Sequence, residues 1–339
     1  MYKGTKVLDV HGHVTAPNGG QGYLQLMMAS NTAQESPIFG GKSVDRPGMS
    51  DEDFKRSGQT HVTYMDERSI DVQIIGPRPF QMMGWMEDHL FEKWVHYTND
   101  AIAKQCKLFP DRFLGAATLP QSAQMEDTKH CLPELERCHK EYGFSAVYAS
   151  PDITGRRDTP GMHEPYWFPV YEYCERNNLP IIVHGTNALD KRYRVVPHNY
   201  QLGFYTEQYL TTQFLGHGNP FKKFPGLRIV VCHCGGGLDR FLPSDGHLPQ
   251  EDLSKNLFFD TCAYNPIFLE AAIKMRGVKR MLFGTEAPGS GRHVNPETGK
   301  SGDHIVEVLD GFSFLSDADR KAIMHDQPLA FCAGFEKLK

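Results

Sequence analysis

Val7-Leu8-Asp9-Val10-His11-Gly12-His13 joins an apolar run to two histidines two residues apart. Side chains alternate faces along an extended chain, so positions 11 and 13 share a face, their backbones about 7 Å apart, and can share one ion. Alone, such a pair reads equally well as two surface or capping histidines. Three later runs repeat the arrangement: His184 follows Pro180-Ile181-Ile182-Val183, His233 follows Ile229-Val230-Val231-Cys232, and Glu286 follows Met281-Leu282-Phe283-Gly284-Thr285. Metal-ligating or proton-carrying groups recurring at the ends of apolar runs make a statement about fold. In a closed barrel of βα units, catalytic groups gather where the C-terminal strand ends converge.

Working outward, eight short apolar or β-branched runs fit that barrel: Val7-Val10, Val72-Ile75, Phe113-Leu119, Ala146-Ala149, Ile181-Val183, Leu227-Cys232, Leu257-Thr261 and Met281-Phe283. Stretches of helical period separate them. Asp88 to Leu108 places Phe91, Trp94, Val95, Thr98, Ile102 and Cys106 on one stripe, and Glu126 to Tyr142 does the same with Cys131, Leu135 and Cys138. Pro165 opens a helix ending near Asn177-Asn178, and Pro266 opens one ending at Gly277. The expected architecture is α/β, a single (β/α)8 TIM barrel filling residues 1–339 as one domain, with an insertion after the first strand. Residues 17–58, rich in Gly, Pro, Ser and Met without sustained period, form that insertion and read as an active-site lid or a surface excursion. A second departure from the repeat, Gly289 to Gly302, follows the last strand.

Composition narrows the function. The 339 residues are 40% hydrophobic and 23% charged, ordinary for a soluble protein with a large core. A net charge of -5 without a basic stripe argues against nucleic acid or an anionic membrane as partner. No apolar run approaches the ~20 residues of a membrane span, and none resembles a signal peptide, so a cytoplasmic enzyme is expected. The eight cysteines are scattered without a CxxC pair and read as buried free thiols. Cys232 and Cys234 flank His233, but in a strand both would face away from it. There is no GxSxG elbow, P-loop or GxGxxG to suggest a serine hydrolase or a nucleotide site.

The histidines and Glu286 can bind one divalent ion. Neutral imidazoles with one carboxylate suit Zn²⁺ best, with Mn²⁺ or another divalent metal as the alternative. A remaining coordination position would hold water with a pKa near about 7.

The order HxH at the first strand, His at the fifth, His at the sixth and an acid at the eighth resembles the amidohydrolase superfamily, in its branch related to aminocarboxymuconate semialdehyde decarboxylase. The similarity covers nearly the whole chain. It includes Leu108-Phe109-Pro110-Asp111-Arg112-Phe113, Tyr142-Gly143-Phe144, and Phe224-Pro225-Gly226-Leu227 before His233-Cys234-Gly235-Gly236-Gly237. Most of that superfamily carries Asp after the last strand. Glu286 instead resembles two smaller groups, the 4-oxalomesaconate hydratases and the zinc-dependent hydrolases of meta-cleavage products. Thr15-Ala16-Pro17, Leu119-Pro120-Gln121-Ser122 and Asn295-Pro296-Glu297-Thr298-Gly299 look like the hydratase group.

The resemblance implies that His11, His13, His184 and Glu286 hold the metal, that Glu286 also moves a proton, and that His233 polarises substrate or transfers a proton. Arg78, His198 and Arg292 are candidate clamps for a small anionic substrate, and a homo-oligomer is expected. The expected reaction activates water against an unsaturated α-keto acid from aromatic ring cleavage, first as a hydratase. The alternatives are a carbon-carbon hydrolase of an aryl meta-cleavage product, a nonoxidative decarboxylase, and a metal-bearing protein that binds without turnover. The apolar stretch Pro79 to Met86 is the expected wall for an aryl group, if the substrate carries one.

Overall fold

All eight apolar runs become parallel strands. In the computed structural model, which describes residues 1–15, 50–195, 199–242, 246, 251–294, 296 and 299–338, these are β1 (Leu8–His13), β2 (Val72–Gly76), β3 (Phe113–Thr118), β4 (Ala146–Ala149), β5 (Ile181–Val183), β6 (Ile229–Val231), β7 (Leu257–Asp260) and β8 (Met281–Leu282). They pair in sequence order, β1 to β8. Closure comes from Val10 N–H donating to the Phe283 carbonyl (2.9 Å) and Glu286 N–H donating to the His11 carbonyl (2.8 Å). The closing seam therefore joins the HxH strand to the loop that carries Glu286. Strand residues are buried throughout, as expected of a parallel sheet covered by helices.

The crossover helices α1 (Asp51–Asp66), α2 (Asp88–Leu108), α3 (Leu132–Tyr142), α4 (Phe168–Arg176), α5 (Asn199–Gly218) and α6 (Pro266–Arg276) follow local rules. In α2, Leu90, Phe91, Trp94, Val95, Thr98, Ile102 and Gln105 make one buried stripe. Helix α6 starts where Asn265 Oδ1 accepts from the Ile267 and Phe268 amides, has Pro266 in its first turn, and stops at Gly277, whose φ is +81°.

Two expectations need correction. Residues 51–58, expected to be irregular, open α1. Ser50 caps that helix, and Phe54, Gly58, His61, Val62 and Met65 are buried along one side. A buried glycine and histidine hide this stripe from an apolar count. Residues 17–49 lie outside the described residues. The helix expected from Glu126 instead begins with a 3-10 turn, Thr128–Cys131, capped by Asp127, and becomes α-helical at Leu132. No helix among the described residues is long and apolar enough to cross a membrane.

Candidate active site

His11, His13 and His184 meet at the C-terminal end of the barrel, each essentially inaccessible to solvent. Their ring centroids are 5.1–5.3 Å apart. Each ring spends its Nδ1 on the protein: His11 on Asp260 Oδ2, His13 on the Pro77 carbonyl and His184 on the Gly185 carbonyl, all at 2.7 Å. A carbonyl only accepts, so the proton of His13 and His184 sits on Nδ1 and the Nε2 lone pair is left exposed to the site. All three Nε2 atoms are buried without a partner.

Electrostatics agree with this assignment. Burial lowers the His13 imidazole to about 4. Burial, reinforced by the charges of His233, His11 and His13, holds His184 well below its ordinary value. Burial acts the same way on His11, but the hydrogen bond and charge of Asp260 outweigh it and raise that ring. A carboxylate accepting from the far nitrogen is the usual second partner of a metal-ligating imidazole.

Glu286 occupies the adjoining wall. Its backbone is left-handed, φ +59°, immediately after β8. A Cβ at Gly289 would stand 2.2 Å from the Glu286 carbonyl oxygen, so the return of the loop requires glycine there. Oε1 lies 3.6 Å from His13 Nε2 and Oε2 3.8 Å from His233 Nε2. Oε2 also accepts from the Tyr264 hydroxyl (2.7 Å) and the Ser290 hydroxyl (2.8 Å). Burial would raise this carboxyl, but the neighbouring His13 and His233 rings outweigh it and hold it well below the usual carboxylate range. Glu286 is thus ionised at neutral pH.

His233 is placed by a tight turn rather than by a strand. The β6 strand ends at Val231, and His233 and Cys234 take left-handed φ values of 54° and 55°. The expectation that Cys232 and Cys234 share a strand with His233 is therefore wrong. Burial and nearby carboxylates push both thiols well above their ordinary pKa. His233 Nδ1–H donates to Gln208 Oε1 (2.9 Å). Its Nε2 faces Glu286.

Beneath the site, a buried polar network ties β1 to the Glu286 loop. Asp9 Oδ1 accepts the His11 and Thr285 amides, and its Oδ2 accepts the Thr285 hydroxyl and Gln73 Nε2. Burial, set against these hydrogen bonds, leaves the Asp9 carboxyl raised to about 6. Gln73 also donates to the Ala287 carbonyl and accepts from His61 Nε2.

Above the site, a cleft of about 680 Å³ is lined by His13, Arg78, Phe80, Glu286, Ser290 and Arg292, with others. Arg78 is anchored through Nε to the Val14 carbonyl at 3.1 Å. Arg292 is exposed at the rim, 5.3 Å from the Tyr64 ring centroid. The fold thus brings Arg78 and Arg292 to one cleft with His13 and Glu286. His198 lies outside the described residues. The apolar stretch after Arg78 divides: Phe80 lines the cleft, whereas Met82, Met83 and Met86 are buried in the core.

The sequence profile of the amidohydrolase family matches residues 8–331. The chain belongs to this family. Among its relatives, a 2-keto-4-carboxy-3-hexenedioate hydratase of Sphingobium sp. is 29% identical over 94% of this chain and 93% of its own length. A gamma-resorcylate decarboxylase of Rhodococcus jostii is 29% identical over 76% of this chain and 82% of its own. Among solved structures, a 4-oxalomesaconate hydratase of Rhodopseudomonas palustris superposes with a TM-score of 0.81 at 25% identity, covering 98% of this chain and 97% of that one.

The donor set of this amidohydrolase fits a divalent cation. Ligand atoms of His11, His13 and His184 lie within 4.8 Å of one another, as do those of His184, His233 and Glu286. Three buried nitrogens without partners would each carry a desolvation penalty, and one ion shared among them removes it. Sequence reasoning missed the supporting shell. Asp260 ends β7, so the strand-end rule that found the histidines covers it too; Gln208 and Tyr264 carry no local signal.

Proposed function

We propose that this amidohydrolase is a metal-dependent hydratase of an unsaturated α-keto acid from aromatic ring cleavage, of the 4-oxalomesaconate type. The observation that carries this reading is the Glu286 carboxylate, fixed between the histidine cluster and a cleft bearing Arg78 and Arg292. The likeness of nearly the whole chain to two hydratases supports it.

His11, His13 and His184 would hold the ion, with Glu286 beside it; zinc is the metal we propose for neutral imidazoles and one carboxylate. A divalent ion supplies Lewis acidity, lowering the pKa of water and polarising a keto or carboxylate oxygen. Arg78 and Arg292 draw the carboxylates of a small anionic substrate into the cleft. Glu286, whose Oε1 lies 3.6 Å from His13 Nε2, takes the proton from the water that adds to the conjugated double bond. Tyr264 and Ser290 hold Oε2, so that the carboxylate does not swing away. His233, its Nδ1–H locked on Gln208, presents an unprotonated Nε2 3.8 Å from Glu286 Oε2 and relays the proton that Glu286 has taken from water to the enolate carbon, so that water's two parts both end on the product.

The test uses metal-loaded protein and 4-oxalomesaconate in ¹⁸O-labelled water. Hydration bleaches the conjugated chromophore and puts one labelled oxygen on carbon without loss of carbon. Release of carbon dioxide would instead indicate decarboxylation, and scission into two acids a carbon-carbon hydrolase; either would overturn the proposal.

A further inference from the structure

Glu286 lines one cleft and is hydrogen-bonded to Tyr264, which lines a second. The first carries Arg78 and Arg292. The second, about 860 Å³, is lined by Tyr205, His233, Tyr264, Ile267, Phe268 and Val294, with others, and shares no lining residue with the first. No Lys, Arg, Asp or Glu lies among the described residues that line it. The two adjoin at the reaction centre: Tyr264 donates to Glu286 Oε2 at 2.7 Å, and His233 Nε2 is 3.8 Å from the same oxygen.

Its polar side chains are those of Tyr205, His233, Tyr264, Asn265 and His293, with no guanidinium or ammonium, so it compensates a carboxylate less than the arginine cleft does, whereas Ile267, Phe268 and Val294 can bury an alkyl or aryl group. Ile267 and Val294 are 80% and 60% exposed, so apolar surface is held open to solvent at the wall of a cleft that leads to a buried histidine. Ile267 sits in the first turn of α6, whose start is fixed by the Asn265 cap and Pro266. That part of the wall is therefore rigid. The Tyr264 hydroxyl is spent on Glu286 Oε2, which leaves its ring face to a ligand.

We infer that this second cleft is a subsite for an uncharged apolar or aryl arm of the α-keto acid, whose carboxylates stay on the arginine side. The inference rests on the hydratase reading and extends its substrate range to keto acids with such an arm.

Calorimetric titration with two saturated keto acids of equal chain length tests the subsite without requiring turnover. The probes are 4-phenyl-2-oxobutanoate and 2-oxoglutarate, in which a phenyl ring and a carboxylate exchange places. The metal-loaded protein is expected to bind the phenyl compound about 10-fold tighter or more, the gain from burying an aryl group. Equal affinities, or a preference for 2-oxoglutarate, would overturn the inference. Ile267→Asp puts a carboxylate on the wall, and Ala263→Trp fills the cleft. Each should cut the affinity ratio at least about threefold, with the unfolding temperature confirming the fold; an unchanged ratio in the folded variants also overturns it. Phenyl preference without hydration of any unsaturated keto acid would sink the hydratase reading alone. Hydration without phenyl preference would sink the subsite alone.

Discussion

The histidine floor of the barrel and the mouth above it are built on different principles. On the floor every functional ring is buried and locked: His11, His13 and His184 each use Nδ1 within the protein, and Asp9, Gln73 and Asp260 lie beneath them with their hydrogen bonds satisfied. At the mouth the groups that would touch substrate come from loops and from the first turn of α6, and Arg292, Ile267 and Val294 are exposed. Chemistry is thus set by strand ends, whose positions the barrel dictates, and selectivity by loops that the barrel leaves free. If that division holds, changes on the floor should abolish function and changes at the mouth should redirect or weaken it.

The sharpest break is His13→Ala. It removes one Nε2 from the cluster, and metal content and turnover should fall together, turnover by roughly 10³-fold or more; elemental analysis beside an assay checks both, and retained metal with full activity would refute the cluster. Next in size, Glu286→Gln and His233→Asn should each lower kcat by roughly 10²-fold or more while leaving the metal in place. Loss of metal in either variant would move that residue from proton transfer to ligation.

A smaller effect concerns the network below the floor. Burial depresses the His61 imidazole to about 3, against about 6.5 in the unfolded chain. Between those values the unfolded chain takes up a proton that the folded protein refuses, so this contribution is full above about pH 6.5 and is lost as pH falls through the window. In His61→Gln the loss of unfolding free energy from pH 7 to pH 5 should shrink by about 2 kcal/mol, read from denaturant titrations at the two pH values. An unaltered difference would mean that His61 is not held neutral by burial. Smallest is the mouth: Arg78→Lys should raise KM about tenfold with kcat little changed, because an ammonium cannot reproduce a bidentate clamp. A collapse of kcat instead would place Arg78 with the floor.

The same division explains what could be read from sequence. Strand ends are legible because an apolar run predicts a strand and a strand predicts where its last side chains converge, which located His11, His13, His184, His233 and Glu286. Helix α5 escaped notice because the face it buries carries Glu207, Gln208, Thr211 and Thr212 rather than an apolar stripe. Gln208 and Tyr264 are functional only through partners 25 and 22 residues away, His233 and Glu286, which no local pattern encodes. The strand run read as Leu227 to Cys232 stops at Val231, and the turn that follows was not foreseen, because left-handed φ at His233 and Cys234 is not a preference of those residue types. Met82, Met83 and Met86 resemble a pocket wall in sequence yet are core, since an apolar run does not say which of its members face the cleft.

The central claim is that three buried histidine nitrogens form a single metal site, with one fixed carboxylate beside it, on which turnover depends. Titrating chelator-stripped protein with zinc while following both bound ion and hydration of 4-oxalomesaconate tests it most directly. The account predicts that activity rises in step with occupancy and stops at one ion per chain. Turnover at full rate in the stripped protein, or a folded protein that binds no divalent ion, would contradict it.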